Sequence, residues 1–557
     1  MALALIVSVA YLPALRGGFV WDDDVNVTSN LTLTRPGGLR SIWFEPGALY
    51  QYYPLVFSSF WVEHKIWDFH PAGYHAVNVS LHIINALLLW CLLGQIGFPL
   101  AWAAAALFAL HPIQVESVAW ITERKNVLST CFYLASAIAY LRVIKHENGC
   151  SPNRFPRGGA KLPAAWAAAF VLYALALLSK PVTSTLPFAL LVLGWWMRGM
   201  VSRRDFALLG PFVLAGGAAG AFVTWMEKMR AGAAGIDWEL SIGERVVVAG
   251  KNVWFYLAQL IWPSHLCFVY PRWRAKGFPL WHAIAPLAVV LVVLILWRYR
   301  SRLGRGPVAA VLLYLIALAP TLGFIDYYYM RFSFVADHFS YVAIVGPILL
   351  VLGSGAAAAR QFRVTHGGAT VMYSRLLARC AFGALLLLLA VLSWRRCTAF
   401  RDEETLWRDT FAKNTSATMA KLNLGGMLLN RGEDREAADL FQHVLAEAPG
   451  KSGFLANLAR NNLGIIMAKQ GAYDAAAEFF QAVLAVAPNS SDTLTNLAHL
   501  NTSAGYLDQA EAGYRAALRS DPGYAPAHAG LGALLRERGD QEEAEWHFSE
   551  ARRLSPK

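Results

Sequence analysis

Three consecutive carboxylates, Asp22, Asp23 and Asp24, stand in "GGFVWDDDVNVTSN", just behind a stretch from Met1 to Leu15 with no charged side chain. Carboxylates this close repel one another, so one of them carries a raised pKa unless a cation or metal lies between them. That makes the stretch either an acid/base site held at a membrane surface or a solvated flank that ends a membrane helix. Other ionisable residues share its setting beside apolar runs: His111 and Glu116 in "HPIQVE", Arg124 and Lys125 in "ITERKN", Lys180 in "LLSKPVTS", and Asp337 with His338 in "FVADHFS". Each has a plainer alternative. His111-Pro112 suits a helix terminus that packs, and Arg124 with Lys125 suits an interfacial flank. No His or Cys spacing indicates a tight metal site. A carboxylate site on Asp23 and Glu116 would be weak, oxygen-ligated and suited to Mg²⁺ or Mn²⁺.

The elements that must position these groups follow from composition. Of 557 residues 56% are hydrophobic and only 15% charged, far too apolar for an ordinary soluble chain. Charge-free runs suited to crossing a bilayer, which takes roughly 17–25 helical residues, recur from the N-terminus to Leu392. Met1 to Leu15 lacks a basic n-region and reads as a first span, not a cleaved signal peptide. The net charge of +12 does not form a nucleic-acid face. Its lysines and arginines cluster beside apolar runs, as at Arg142, Lys145, Arg154 and Arg157, or at Arg298, Arg300, Arg302 and Arg305. Short loops rich in Lys and Arg stay in the cytoplasm, so the positive balance is topological. Six cysteines, Cys150 among them, are scattered without a metal-type spacing and read as small buried hydrophobes.

Placing the basic clusters in the cytoplasm gives about eleven spans. Trp21 to Gly73 becomes an outside loop and Ser179 to Pro181 a tight outside turn. Met226 to Gly277 becomes an outside region with a re-entrant or interfacial helix, and everything after Trp394 lies outside. The acidic and basic candidates then meet at one membrane face, where ionisable groups are expensive unless they pair or work.

Beyond Arg396 the apolar runs stop and a self-similar unit begins. Leu424-Gly425, Gly432, Ala437, Phe441 and Pro449 recur as Leu463-Gly464, Gly471, Ala476, Phe480 and Pro488. They return as Leu497-Ala498, Gly505, Ala510, Tyr514 and Pro522, then as Leu531-Gly532, Gly539, Ala544, Phe548 and Pro556. A period of about 34 residues, with small residues where two helices cross and an aromatic knob on the second, resembles the tetratricopeptide repeat. Such helix pairs cannot bury their own apolar faces and stack into a superhelix with a concave groove, which suits an extended or helical peptide. A rigid spacer is the alternative. The expected organisation is all-α: a polytopic membrane domain over 1–396, a connector or capping helix over 397–417, and about four repeats in an α-solenoid over 418–557.

Taken in order, "GFVWDDD", "HPAGYHAVNVSLHIINALLLW", "LFALHPIQVESVAWITERKNVLS", "LLSKPVTSTLPFALL" and "FSFVADHFSYVAIVG", followed by repeats, resemble the transmembrane-and-tetratricopeptide-repeat O-mannosyltransferase family, within the GT-C glycosyltransferases, and its bacterial relatives. The resemblance implies a multi-span enzyme of, for a bacterial member, the inner membrane. Such an enzyme moves a sugar, mannose in the characterised branch, from a polyprenyl phosphate carrier to an acceptor hydroxyl outside the cytoplasm. It also implies that the acidic pair in the first outside loop, Asp22 and Asp23, is the catalytic centre, with Asp24 as an uncertainty of register. A serine or threonine hydroxyl needs a base as its proton leaves, and the leaving phosphate needs positive charge around it. One of the pair is the expected base and Glu116 a second acidic candidate. Arg124, Lys125 and Lys180 are candidates for the donor phosphate, and His111, Asp337 and His338 are further site candidates. The expected partners are the bilayer, the lipid-linked sugar donor and a protein acceptor presented by the repeat groove, with no nucleic acid. Two departures from the family pattern stand at Tyr53-Pro54 and Asp337-His338. Competing readings are a transferase acting on lipid or polysaccharide, a non-catalytic membrane scaffold, and a transporter.

Overall fold

The computed structural model describes residues 1–49, 51–147, 161–229, 238–273, 277–365, 368–447 and 453–554. Cys150, Arg154, Arg157, Pro449 and Pro556 lie outside the described residues. All regular elements among those described are helices, the all-α class that the sequence implies. The chain divides into two compact units, Met1–Leu406 and Trp407–Lys557. Helix Glu403–Lys413 occupies the stretch expected to cap the repeats.

In the first unit seven described helices are long and apolar enough to cross a bilayer: Pro71–Gln95, Ile121–Lys145, Leu162–Ser179, Arg203–Met229, Trp281–Arg298, Val345–Phe362 and Met372–Phe400. This is a multi-pass membrane protein. The other apolar stretches counted as spans form shorter helices: Ala2–Ala10, Ala101–Leu110, Leu186–Arg198 and Gly306–Leu318. Proline sets their limits. Pro13, Pro112 and Pro320 stand in the tight helical turns that follow three of them, because proline has no N–H to continue an α-helical ladder. Helix Ile242–Ile261 starts from a capping box in which Ser241 and Glu244 satisfy each other's backbone N–H groups. It carries Lys251 and Asn252 and is not one of the seven.

Buried polar side chains in the apolar helices find partners inside the unit, as a hydrocarbon surround demands. His82 accepts at Nδ1 from the Tyr341 hydroxyl (2.7 Å) and donates from Nε2 to the Ala109 carbonyl (3.0 Å). Asn85 donates to the Val127 carbonyl (2.8 Å) and to the Tyr341 oxygen (3.1 Å).

The second unit holds four helix pairs: Thr418–Asn430 with Asp434–Glu447, Phe454–Lys469 with Tyr473–Leu484, Ser491–Ser503 with Leu507–Ser520, and Ala525–Arg538 with Gln541–Leu554. In each, the turn glycine (Gly432, Gly471, Gly505 or Gly539) has φ between 78° and 89°, the left-handed region that glycine enters without steric cost. A side chain on Gly464 would lie 2.6 Å from the Phe480 ring, and one on Gly425 would lie 2.7 Å from that of Phe441. The third pair has Ala498 at this crossing, and there Gly513 on the facing helix makes the room, its missing Cβ only 3.0 Å from that of Ala498.

Candidate functional site

The chain leaves its first helix through Leu12–Arg16, and Gly18 N–H binds the Arg401 carbonyl at 2.8 Å. Trp21 then adopts φ 50°, a left-handed conformation that costs a bulky residue roughly 1–3 kcal/mol and persists only where the surroundings impose it. Here its ring is packed, 5.2 Å from Trp120 and 5.3 Å from Phe268 between centroids. Immediately behind this turn the three aspartates separate.

Asp23 is fully buried. One carboxylate oxygen accepts from the Thr122 N–H (2.8 Å) and hydroxyl (2.6 Å), and the other from the Val20 N–H (2.9 Å). It ties the first loop to the turn that opens the Ile121–Lys145 helix. Burial, and next the charge of Asp22, push its pKa up to about 7. Asp22 is half-buried and accepts a single side-chain hydrogen bond, from Trp120 Nε1 (3.1 Å). Its second oxygen accepts none among the described residues. Burial raises its pKa to about 6, against the pull of Lys125. Asp24 is exposed and accepts from the Val25 N–H (2.6 Å).

Beside Asp22 lies a carboxylate that the sequence reading passed over. Glu123 is fully buried, with one oxygen 3.0 Å from Lys125 Nζ and the other 3.1 Å from Lys180 Nζ. Lys180 also donates to Asn126 Oδ1 (2.8 Å), and burial lowers its pKa to about 8. Two ammonium groups on one carboxylate leave a surplus positive charge next to Asp22. The start of Ile121–Lys145 and the end of Leu162–Ser179 therefore meet at these ion pairs.

Glu116 and His338 form a buried pair through His338 Nδ1, and His338 Nε2 faces Glu123 at 3.9 Å. Burial and the neighbouring Asp337 hold the Glu116 carboxyl well above the usual range, while burial lowers His338 to about 3. Burial thus favours the neutral form of each partner. Asp337 accepts from the Tyr270 hydroxyl at 2.6 Å, and Asn126 binds the His338 carbonyl at 2.8 Å.

Three expectations change. Arg124 is not turned toward a phosphate. It is completely buried, and all five of its N–H groups are engaged: by Asn78, by Ser59 (3.1 Å), twice by Glu63, and by the Tyr74 carbonyl (2.9 Å). It braces helix Pro54–Trp67 against Pro71–Gln95. His111 takes the plainer alternative: Nδ1 accepts from the Ile113 N–H (3.2 Å) and Nε2 donates to the Leu260 carbonyl (3.0 Å), and burial lowers its pKa to about 4. Asp23 does not suit a divalent cation, since three donors already occupy it, whereas Glu116 meets His338 through one oxygen and keeps the other unbonded among the described residues. Among the described residues no group of three His, Cys, Asp or Glu side chains is placed to hold a metal.

The fold and this cluster define a polytopic membrane protein with a charged site at the ends of its helices and a tetratricopeptide array. Residues 455–491 and 497–557 match the family model of the tetratricopeptide repeat. The chain is 24% identical over 502 residues to human protein O-mannosyl-transferase TMTC4, covering 78% of this chain and 64% of that protein. It is 31% identical over 148 residues to protein O-mannosyl-transferase F38B6.6 of Caenorhabditis elegans (24% and 21%), and 33% identical over 162 residues to mouse protein O-mannosyl-transferase TMTC1 (27% and 17%). The chain thus spans less than two thirds of the length of each of these relatives. Solved structures similar to it include that of MamA, with 19% identity, a TM-score of 0.23 and coverage of 27% of this chain and 85% of that one. Another is that of YrrB, with 22% identity, a TM-score of 0.21 and coverage of 32% and 84%. Along most of its length the chain is similar to the transmembrane-and-tetratricopeptide-repeat O-mannosyltransferases, the resemblance its motifs carry.

Proposed function

We propose that this protein is a GT-C-type membrane glycosyltransferase. It moves a sugar, mannose by likeness to its relatives, from a polyprenyl phosphate carrier to a serine or threonine hydroxyl of a protein on the extracytoplasmic side, in a bacterial inner membrane. The reading is carried by one observation: Asp22 keeps a carboxylate oxygen unbonded beside a lysine pair whose charge exceeds that of the Glu123 they share.

In the proposed reaction the acceptor oxygen attacks the anomeric carbon as Asp22 takes its proton. With a pKa of about 6, Asp22 is ionised at neutral pH yet basic enough to share a proton in the transition state. The bond from the anomeric carbon to the phosphate oxygen breaks, and its electron pair leaves with the carrier phosphate, whose charge Lys125 and Lys180 stabilise. A single displacement of this kind inverts the anomeric centre. Trp21, Trp120 and Phe268 supply ring faces beside the acid, a surface suited to the apolar face of a sugar. Glu123 holds the lysines in place, and Asp23 fixes the loop that carries Asp22. No step runs through a divalent cation. The repeats are read as the surface that presents the acceptor polypeptide.

The test is transfer of labelled mannose from a polyprenyl phosphate donor in membranes carrying the protein. Asp22→Asn lowers transfer by about 10²–10⁴-fold with unfolding temperature unchanged. Asp23→Asn lowers the unfolding temperature, because an amide donor then opposes the Val20 N–H. Transfer that survives Asp22→Asn removes the base from the mechanism, and label found in lipid or polysaccharide instead of protein replaces the acceptor.

A further inference from the structure

A cavity of about 650 Å³ is lined by helix Ile242–Ile261 and the beginning of Trp281–Arg298, and none of its lining residues belongs to the acidic cluster. Its walls include Trp254, Phe255, Ile284 and Ala288. The two helices touch closely: a side chain on Gly250 would overlap Pro286, and Trp254 Nε1 donates to the Ala285 carbonyl at 3.0 Å.

Three polar groups in this apolar cleft lack protein partners among the described residues. Lys251 Nζ has no hydrogen bond or ion pair and lies only against aromatic rings, 4.8 Å from the centre of Trp273 and 5.1 Å from that of Phe278. Trp273 Nε1 and His282 Nδ1 are buried and unbonded. Lys251 brings an unpaired cation to an otherwise aromatic and aliphatic cleft, and such a charge calls for an anion. The aromatic and aliphatic walls call for hydrocarbon.

The surroundings say which molecule offers both. None of the most apolar window of Trp281–Arg298 is buried in the protein, so this span gives its surface to the bilayer and one side of the cleft opens to lipid. The polar groups gather where the span begins, at Trp281 and His282, and the apolar walls Ile284 and Ala288 follow along it. Tryptophan and lysine favour the headgroup level of a membrane, and an ammonium receives phosphate as a point charge.

We propose that this cleft binds one anionic phospholipid of the surrounding bilayer. Its phosphate sits against Lys251, at the end of the cleft lined by Trp273 and His282, and an acyl chain runs along Trp254, Ile284 and Ala288. The site reaches the charged cluster by contact: Phe255 packs edge-on against Tyr270, 4.8 Å between centroids, and Tyr270 donates to Asp337. The proposal stands on its own, whether or not the protein transfers sugar.

The full chain, reconstituted in nanodiscs of phosphatidylcholine with a minor share of phosphatidylglycerol, is released into native mass spectrometry. The wild-type chain keeps one phosphatidylglycerol. Lys251→Gln loses it by about tenfold, the effect of removing one charge-assisted contact, and Lys251→Arg restores it. Ala288→Trp, which fills the acyl path and leaves the lysine in place, lowers retention as well. Unchanged unfolding temperatures certify all three variants. Equal retention in Lys251→Gln and wild type overturns the proposal. Displacement of phosphatidylglycerol by an equimolar polyprenyl phosphate overturns it in favour of a donor-lipid site, and displacement by inorganic phosphate alone overturns the lipid assignment.

Discussion

The charged cluster of the membrane unit and the helix pairs of the repeat unit solve the same packing problem by opposite means. In the repeats each contact joins neighbours in sequence: Gly464 receives Phe480, Gly425 receives Phe441, and a turn glycine reverses the chain between them. In the membrane unit the decisive contacts join segments far apart, as Asp23 joins Thr122, Lys180 joins Glu123 and His338 joins Glu116. Local packing tolerates exchange, as the third repeat demonstrates by moving its glycine to the opposite helix. A buried charge has no such freedom, because removing one partner strands the other in a low-dielectric interior.

The contrast is put to its hardest test at Arg124. Arg124→Leu leaves Glu63 buried without its cation and costs about 3–5 kcal/mol. The expected result is loss of the folded membrane unit in detergent, followed by intrinsic fluorescence on heating, while the isotopically monitored repeats retain their helical signal. A variant that melts like the wild type would place the pair among the dispensable ones. In the repeats, Gly464→Ala pushes a methyl group into the Phe480 ring and costs about 1–3 kcal/mol. Hydrogen exchange should rise in the second pair and its immediate neighbours and nowhere else, since stacked repeats couple only to what they touch. Spread of the effect through all four pairs would show that the repeats do not pack locally.

The smallest expected effect comes from pH and sharpens the site itself. Protonating Asp22, with its pKa near 6, lowers transfer tenfold for each pH unit below that value, about 1.4 kcal/mol. Loss of the Lys180 proton, near 8, lowers it on the alkaline side, so the rate profile is a bell between the two. Stability runs the other way on the acid limb. The folded-state value of Asp22 is raised, so its contribution is complete below the unfolded value of about 3.9 and is lost as pH rises through about 6. Transfer rates and unfolding temperatures across pH 4 to pH 9, roughly the span of both titrations, check the two trends together; parallel curves would remove Asp22 as their common cause.

Much of this architecture is legible in the sequence because it is local. The apolar runs announce membrane helices, and the recurring small and aromatic residues announce the repeats before any coordinate is known. The candidate site is legible in its membership but not in its orientation. Glu123, Arg124 and Lys125 are consecutive, but the tight turn Ile121–Glu123 gives way to an α-helix at Arg124, so regular helical spacing does not assign their faces: Lys125 and Glu123 turn to the cluster while Arg124 turns to Glu63. Which residue faces inward depends on Glu63 and Asn78, partners on other helices that spacing alone does not reveal. Asp22 and Asp23 divide in the same way around the left-handed Trp21. A glutamate directly beside two cations at the start of a span was the available signal for Glu123.

The chain positions of the partners also fix an order of events during biosynthesis. Every group that engages the Arg124 guanidinium, from Ser59 to Asn78, emerges before it, so this fully buried cation finds its neutralising company already in place. His82 meets the opposite situation: its Tyr341 partner arrives 259 residues later. A nascent chain halted short of that tyrosine holds a membrane helix whose imidazole Nδ1 still lacks its donor.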